Sequence, residues 1–562
     1  DNSKGNRVFV IDGYNGVDWS EFQRLLKNCS KENKLNISWI NFQDCMKSEE
    51  EILLQIEDFL GGDDPLWGTH YPLGLDGFFD ARKVADIRIL ASASRENEPD
   101  KILIVYGVGS SLIEIWDRLW YIDIPKDIIQ EEARKGHCHA IGNPDDLNFG
   151  SFYKRSYFVD WPALNRNKKN LLPEIDLLID MQNKSNPTYI KGIDFRNSLH
   201  LLSESPFRVR PWFYPGPWGG KFMQAHMGLD SEQPNFAWSF ELIVPENGIV
   251  LLSSGMELEF TFDFLMYQEK ERVLGKMAAA RFGYEWPIRL DYLDTIDGGN
   301  LSTQVHPRPD FIRKNFGETY TQDETYYISV AKEDARVYLG LKESCDLSKF
   351  KQELINSEQN GISIDMDQYV HSVKVNPHDL ILIPNGTVHC SGEGSLVLEI
   401  SATPYIFTFK IYDYLRRDLN GNFRKLNIER AFENIRSKHK EKFINENFLP
   451  EPKLINEGKG WRDYELYNRP ETFYNIHRIE FEKEFSIDLE GRAFAINLVE
   501  GREVKIETAS GHISKLSLYE TMLIPEAAKN IKVKNLSEIH SKMVYTYIRP
   551  SSLTSRLNDP LK

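Results

Sequence analysis

The chain has 562 residues, a formal net charge of −16, 41% hydrophobic and 27% charged residues. That length exceeds what one hydrophobic core supports, so several domains are expected, and the composition excludes a disordered chain. The acidic balance lacks the basic footprint that a phosphate backbone requires, so nucleic acid is not an expected partner.

The opening residues, "DNSKGNRVFVIDG", contain no basic segment, apolar run and small-residue cleavage site, so no secretory leader is expected. Residues 1–203 alternate strand and helix patterns: "RVFVID", "WSEFQRLLKNC", "NISWINF", "SEEEILLQIEDFL" and "DKILIVYGVGSS". That alternation predicts a parallel sheet covered by helices. From residue 204 the texture turns to proline, glycine and aromatics ("PWFYPGPWGGKFM"), then to short strand runs through residue 425. A helical segment and charged linker occupy 426–465, and 466–562 return to strands with turn signals every 8 to 12 residues, the mark of a sandwich or barrel. Nowhere do about 18 uncharged apolar residues run together, so no membrane partner is expected. Five scattered cysteines without a C-x-x-C argue against a disulfide framework or a thiolate zinc site, and a reducing cytoplasm is the expected location.

The first strand runs into "GYNGVDWS", where a phosphate-binding loop would sit. Against G-x-x-x-x-G-K-[ST], Gly13 and Ser20 fit, but Asp18 stands at the second glycine and Trp19 at the lysine. A carboxylate there repels phosphate and an indole offers no charge. The segment resembles a P-loop kinase domain of the uridine-kinase type that has lost its nucleotide chemistry, so no nucleotide is expected. His137 and His139 in "HCH" share a face if extended, but no carboxylate stands in register, and they are read as surface or structural.

"NLSTQVHPRPDF" offers stronger chemistry. On a strand Gln304 and His306 face the same way, as does Ser302. "DETYYISVA" adds Glu324, and "IPNGTVHC" places His389 after a Pro-Asn-Gly turn. One amide oxygen, two imidazole nitrogens and one carboxylate suit Zn²⁺ and are compatible with Mn²⁺, Fe²⁺ or Co²⁺. "VNPHDLILIPNGTVH" and "LSLYETMLIPEAAKNIKV" share a strand, acidic turn, Leu-Ile-Pro, strand order, which reads as one fold used twice with ligand-type residues only in the first copy.

"NLSTQVHP", "DETYYI", "LILIPNGTVH", "LVLEIS" and "FTFKIYDYLRR" follow one another in an order and spacing that resembles the type I phosphomannose isomerases, and "PWGG" and "AWSFELIVPENG" resemble that family's opening strands. The resemblance implies a catalytic cupin (jelly-roll) domain over 204–425 that holds Zn²⁺ through Gln304, His306, Glu324 and His389. It also implies a C-terminal metal-free cupin-like domain, and interconversion of mannose 6-phosphate and fructose 6-phosphate through an enediol. Glu399 matches a family glutamate and is the candidate base or orienting group. Lys410, the second candidate catalytic residue, stands at a family arginine, keeping charge without the bidentate fork. Ser302 is expected at the substrate end of the site.

Two further positions depart from the family: Asp291 stands where a lysine is expected, and Gln322 replaces a lysine before Glu324. A sugar phosphate needs cations, which Arg289, Arg308, Arg313 and Lys314 are close enough in sequence to supply. The alternatives are a metal-containing sugar-binding or regulatory cupin with little turnover, and an isomerase of another sugar.

Overall fold

Val8, Val10 and Ile11 are fully buried and head β1 (Val8–Gly13), which lies inside a sheet with β2 (Ile37–Asn41), β3 (Ile102–Tyr106), β4 (Arg118–Asp123), β5 (Leu177–Asp180) and β6 (Thr188–Lys191). The strand order is β2-β3-β1-β4-β5-β6. Every pair is parallel except β5 with β6. The structure is a computed structural model and describes residues 8–555 apart from 63, 65, 98–100, 143–146, 245 and 418–422. Among these no helix is long and apolar enough to cross a membrane.

The loop after β1 is closed by its own side chains. A Cβ on Gly13 would come within 2.9 Å of the Ile122 carbonyl and 3.2 Å of the Trp19 ring, so the indole lies over the loop glycine. Asp18 caps α1 (Trp19–Glu32), its carboxylate accepting from the Glu21 N–H at 3.0 Å. The helix N-terminus, which would attract a phosphate, already has an anion of the chain's own.

Two strands, β7 (Trp212–Tyr214) and β8 (Trp238–Leu242), belong to a second unit, yet the hairpin β9 (Gly248–Ser253) and β10 (Met256–Thr261) belongs to the first. The units are 8–202 with 246–269, and 203–244 with 270–555. "AWSFELIVPENG" is therefore divided between them, because buried polar groups of the α/β unit need the hairpin. Asp123 accepts from the Thr261 N–H (2.7 Å) and Asp180 from the Glu259 N–H (2.8 Å). Lys168, fully buried, bonds Asp123 (3.0 Å) and Thr261 Oγ1 (2.7 Å).

The second unit continues through β11 (Ile288–Asp294), β12 (Thr303–Val305), β13 (Asp323–Ala331), β14 (Arg336–Leu341), β15 (Val370–Lys374), β16 (Leu380–Ile383), β17 (His389–Ser391), β18 (Ser395–Ala402) and β19 (Phe409–Tyr412). These make a sheet β16-β13-β18-β11-β8-β7 and a sheet β15-β14-β17-β12-β19. Beyond two short helices come β20 (Lys453–Gly458), β21 (Trp461–Tyr467), β22 (Tyr474–Phe481), β23 (Glu484–Asp488), β24 (Phe494–Glu500), β25 (Glu503–Thr508), β26 (Ile513–Ser517), β27 (Thr521–Ile524), β28 (Asn530–Asn535) and β29 (Ser541–Ile548). Their sheets are β20-β21-β22-β29-β24-β27 and β23-β28-β25-β26. Alternation along β25 and β28 turns Val504, Ile506, Ile531 and Val533 inward against Ile479, Phe481, Ile496 and Met543 of the larger sheet.

Started from the Leu-Ile-Pro strand, the two large sheets have the same order: β16-β13-β18-β11-β8-β7 and β27-β24-β29-β22-β21-β20. Of the smaller sheets, β26-β25-β28-β23 follows β15-β14-β17-β12, and β19 is an extra strand of the five-stranded one. The register fixes equivalent residues. Ile383, before Pro384, lies opposite Glu324, and Ile524, before Pro525, lies opposite Phe494. His389 opens β17 where Asn530 opens β28. The repeat thus replaces a carboxylate by an aromatic ring and an imidazole by an amide.

Candidate metal centre

The Pro384-Asn385-Gly386 turn brings the strands of the first barrel to one point. Gly386 donates its N–H to the His306 carbonyl at 2.9 Å, and Asp323 Oδ1 accepts from Asn385 N (2.9 Å) and Nδ2 (2.8 Å). Gly386 has φ +79°, and a Cβ there would lie 2.7 Å from the Asn434 carbonyl, so the turn requires glycine. His389 then enters β17 directly opposite Gln304, whose other neighbour across β19 is Lys410.

His306, Glu324 and His389 are buried, with ligand atoms all within 4.8 Å of one another. His306 Nε2 is 2.8 Å from Glu324 Oε1, His389 Nε2 is 3.1 Å from Glu324 Oε2, and the Gln304 amide nitrogen is 3.3 Å from His389 Nε2. A half-turn of that amide presents its oxygen instead. The other ring nitrogens are committed: His306 Nδ1 lies 3.0 Å from the Phe407 carbonyl and His389 Nδ1 2.9 Å from the Thr387 carbonyl. Each imidazole therefore carries its proton on Nδ1 and turns the Nε2 lone pair inward, as metal-ligating histidines do. His306 Nε2 and Glu324 Oε2 have no hydrogen-bond partner among the described residues. Buried lone pairs on these two atoms, converging with no donor of their own, fit a divalent cation.

Around this point the side chains form two rows across β13, β18 and β11. Glu324, Ser401 and Arg289 stand opposite one another, and two residues along stand Tyr326, Glu399 and Asp291. Burial opposes ionisation of Glu324, whereas His306 and His389, if protonated, would hold its carboxyl well below the usual range. Burial and the neighbouring carboxylates push Asp291 and Glu399 well above it. Gln322 Nε2 donates to Glu324 Oε1 at 2.5 Å, so the residue at the expected lysine braces the candidate ligand.

The cations gather on the opposite edge. Asp413, just after β19, accepts from Ser302 Oγ (2.7 Å) and pairs with Arg416 (3.3 Å) and Arg424 (2.6 Å). The Lys410 ammonium has no hydrogen-bond or ion-pair partner among the described residues, and burial, aided by Arg424, brings its pKa down to about 8. Of the cations expected from sequence, Arg289 is buried and donates to the Pro404 carbonyl at 2.9 Å. Arg308 donates to the Glu433 carbonyl at 3.1 Å, and Arg313 and Lys314 are exposed on the helix Pro309–Phe316. The Asp413, Arg416 and Arg424 cluster was missed; Asp413 and Arg416 lie within "FTFKIYDYLRR", but only folding brings Arg424 to them.

Comparison with known proteins adds an independent line. The chain is 28% identical over 234 residues to mannose-6-phosphate isomerase ManA of Bacillus subtilis, spanning 41% of this chain and 68% of that one. Part of this chain is homologous to mannose-6-phosphate isomerases. A probable mannose-6-phosphate isomerase of the same organism, GmuF, is 28% identical over 239 residues, 42% of this chain and 70% of its own. The crystal structure of the mannose 6-phosphate isomerase from Bacillus subtilis superposes with a TM-score of 0.50 at 20% identity, covering 61% of this chain and 100% of that one. This likeness extends to the fold. Residues 1–204 match a family model described as a domain of unknown function (DUF8485).

Proposed function

We propose that this protein is a metal-dependent aldose-ketose isomerase of a sugar phosphate, converting mannose 6-phosphate to fructose 6-phosphate. The observation that carries the reading is the buried set of inward lone pairs on His306, Glu324 and His389 beside Gln304, in a fold shared with such isomerases. These four residues would hold the ion, with zinc favoured by the nitrogen and oxygen donors. When bound, the metal supplies a Lewis acid that steadies negative charge on the sugar oxygens.

The chain's own residues account for the remaining requirements. Isomerisation takes the proton from C2 and returns it to C1 while a hydroxyl proton passes from O2 to O1, so one base near both carbons suffices. Glu399, in the row two residues along from Glu324 and on the same face, is assigned that task. Ser302, Lys410, Arg416 and Arg424 supply the phosphate end, the unpaired Lys410 being the cation with charge to spare. Residues 1–203 are read as a P-loop kinase-like domain without nucleotide chemistry, a reading supported by Asp18 capping α1 and by the Trp19 ring over Gly13.

A second reading, a metal-containing sugar-binding cupin with little turnover, is favoured by Asp291, a carboxyl placed opposite Glu399 where the resemblance expects a lysine. A coupled assay for fructose 6-phosphate separates them. The zinc-loaded full chain is expected to turn over mannose 6-phosphate and the His389→Ala variant is not; binding without product in the wild type would favour the second reading.

A further inference from the structure

Tyr326 has no solvent exposure, and its phenol oxygen has no hydrogen-bond partner among the described residues. A buried hydroxyl left without an acceptor is costly, and such groups are otherwise paired. Its surroundings identify the missing acceptor. Tyr326 is two residues from Glu324 on the same face of β13 and stands directly opposite Glu399 on β18. Its ring lies 6.1 Å from the His389 ring, edge to face. The hydroxyl therefore belongs to the space that the candidate ligands and the candidate base enclose.

The second barrel shows that packing alone does not require a phenol there. Tyr326 lies opposite Ile381, and the equivalent residue opposite Met522 is Ile496, fully buried in the core of the repeat. An aliphatic side chain fills that place in the barrel whose Glu324 position is Phe494. The phenol occurs in the barrel that has inward-facing donors.

We propose that Tyr326 is a catalytic residue of this site, its O–H donating to the sugar oxygen on the carbon pair between which the proton moves. The inference rests on the isomerase reading. As charge develops on that oxygen in an enediolate, a fixed donor in a buried site strengthens its hold, so the residue acts mainly on the transition state.

The test compares wild type with Tyr326→Phe, both zinc-loaded. It measures turnover of mannose 6-phosphate and calorimetric binding of two probes: a phosphorylated open-chain hydroxamate that mimics the enediolate, and mannitol 6-phosphate. The expected result is a kcat lowered ~100-fold with KM changed less than about threefold. Hydroxamate binding falls by the same factor as kcat, while mannitol 6-phosphate binding and zinc content stay unchanged. Unchanged kcat and hydroxamate affinity would overturn the proposal. Equal weakening of both probes with loss of zinc would also overturn it, making Tyr326 a packing residue. A wild type that binds both probes but forms no fructose 6-phosphate would overturn the isomerase reading, while the ratio of probe affinities still reports on Tyr326.

Discussion

Lys410 shows how one residue type can be read from sequence while its role depends on neighbours far along the chain. The sequence gives a lysine on a strand, opposite a candidate ligand. Folding adds that Asp413 is engaged by Arg416, Arg424 and Ser302, so of Lys410, Arg416 and Arg424 it is Lys410 whose side chain has no ion-pair partner among the described residues. Lys410→Ala is accordingly expected to raise KM for mannose 6-phosphate by ~10- to 100-fold, the loss of one charge-assisted contact of about 1.5–3 kcal/mol, and to leave zinc content unchanged. Steady-state kinetics with metal analysis checks this. Gln304, His306 and Ser302 were legible as one face because strand periodicity is local. Arg308 was not, because its bond to the Glu433 carbonyl depends on a helix more than a hundred residues away.

At the scale of elements, the turn before β17 sets the centre. Its signal, "IPNGTVH", is readable, since a Pro-Asn-Gly turn followed by alternation predicts a strand start. What braces it is not readable: Asp323 holds Asn385, and His439, 4% exposed, places Nδ1 2.8 Å from Thr387 Oγ1. Burial, with Arg436 and Lys438 nearby, brings the His439 pKa down to about 3. The folded chain then keeps this ring neutral where the unfolded chain binds a proton. Its stabilisation is complete above the ordinary value of 6.5 and is lost as pH falls from there toward 3. Between pH 7 and pH 5 this one group should cost ~2 kcal/mol. Urea unfolding of wild type and His439→Gln at the two pH values is expected to show a shallower decline in the variant. The strand orders also carry the repeat, which the Leu-Ile-Pro phrase hinted at and the register makes residue-specific, setting Phe494 against Glu324.

For the whole molecule, the change of texture near residue 204 was legible, but the path of the chain was not. The hairpin 248–261 reads as more of the β-rich part, and only the buried Asp123, Asp180 and Lys168 reveal that it completes the first unit. Residues 1–204, the span of the domain of unknown function, are therefore expected to fold poorly alone, because these groups would be left without partners. Joining 246–269 to that fragment by a flexible linker should restore protease resistance, which limited proteolysis with circular dichroism would measure. A fragment 1–204 as resistant as the intact unit would show that the hairpin is dispensable.

Catalysis by one divalent ion held by Gln304, His306, Glu324 and His389 can be checked by titrating zinc into metal-stripped full-length protein while following fructose 6-phosphate formation from mannose 6-phosphate. Without metal no turnover is expected, and added zinc should give a linear rise and a break at one equivalent per chain, both absent in His389→Ala. Turnover that is independent of zinc, or none at any zinc ratio in protein that binds the metal, would contradict it.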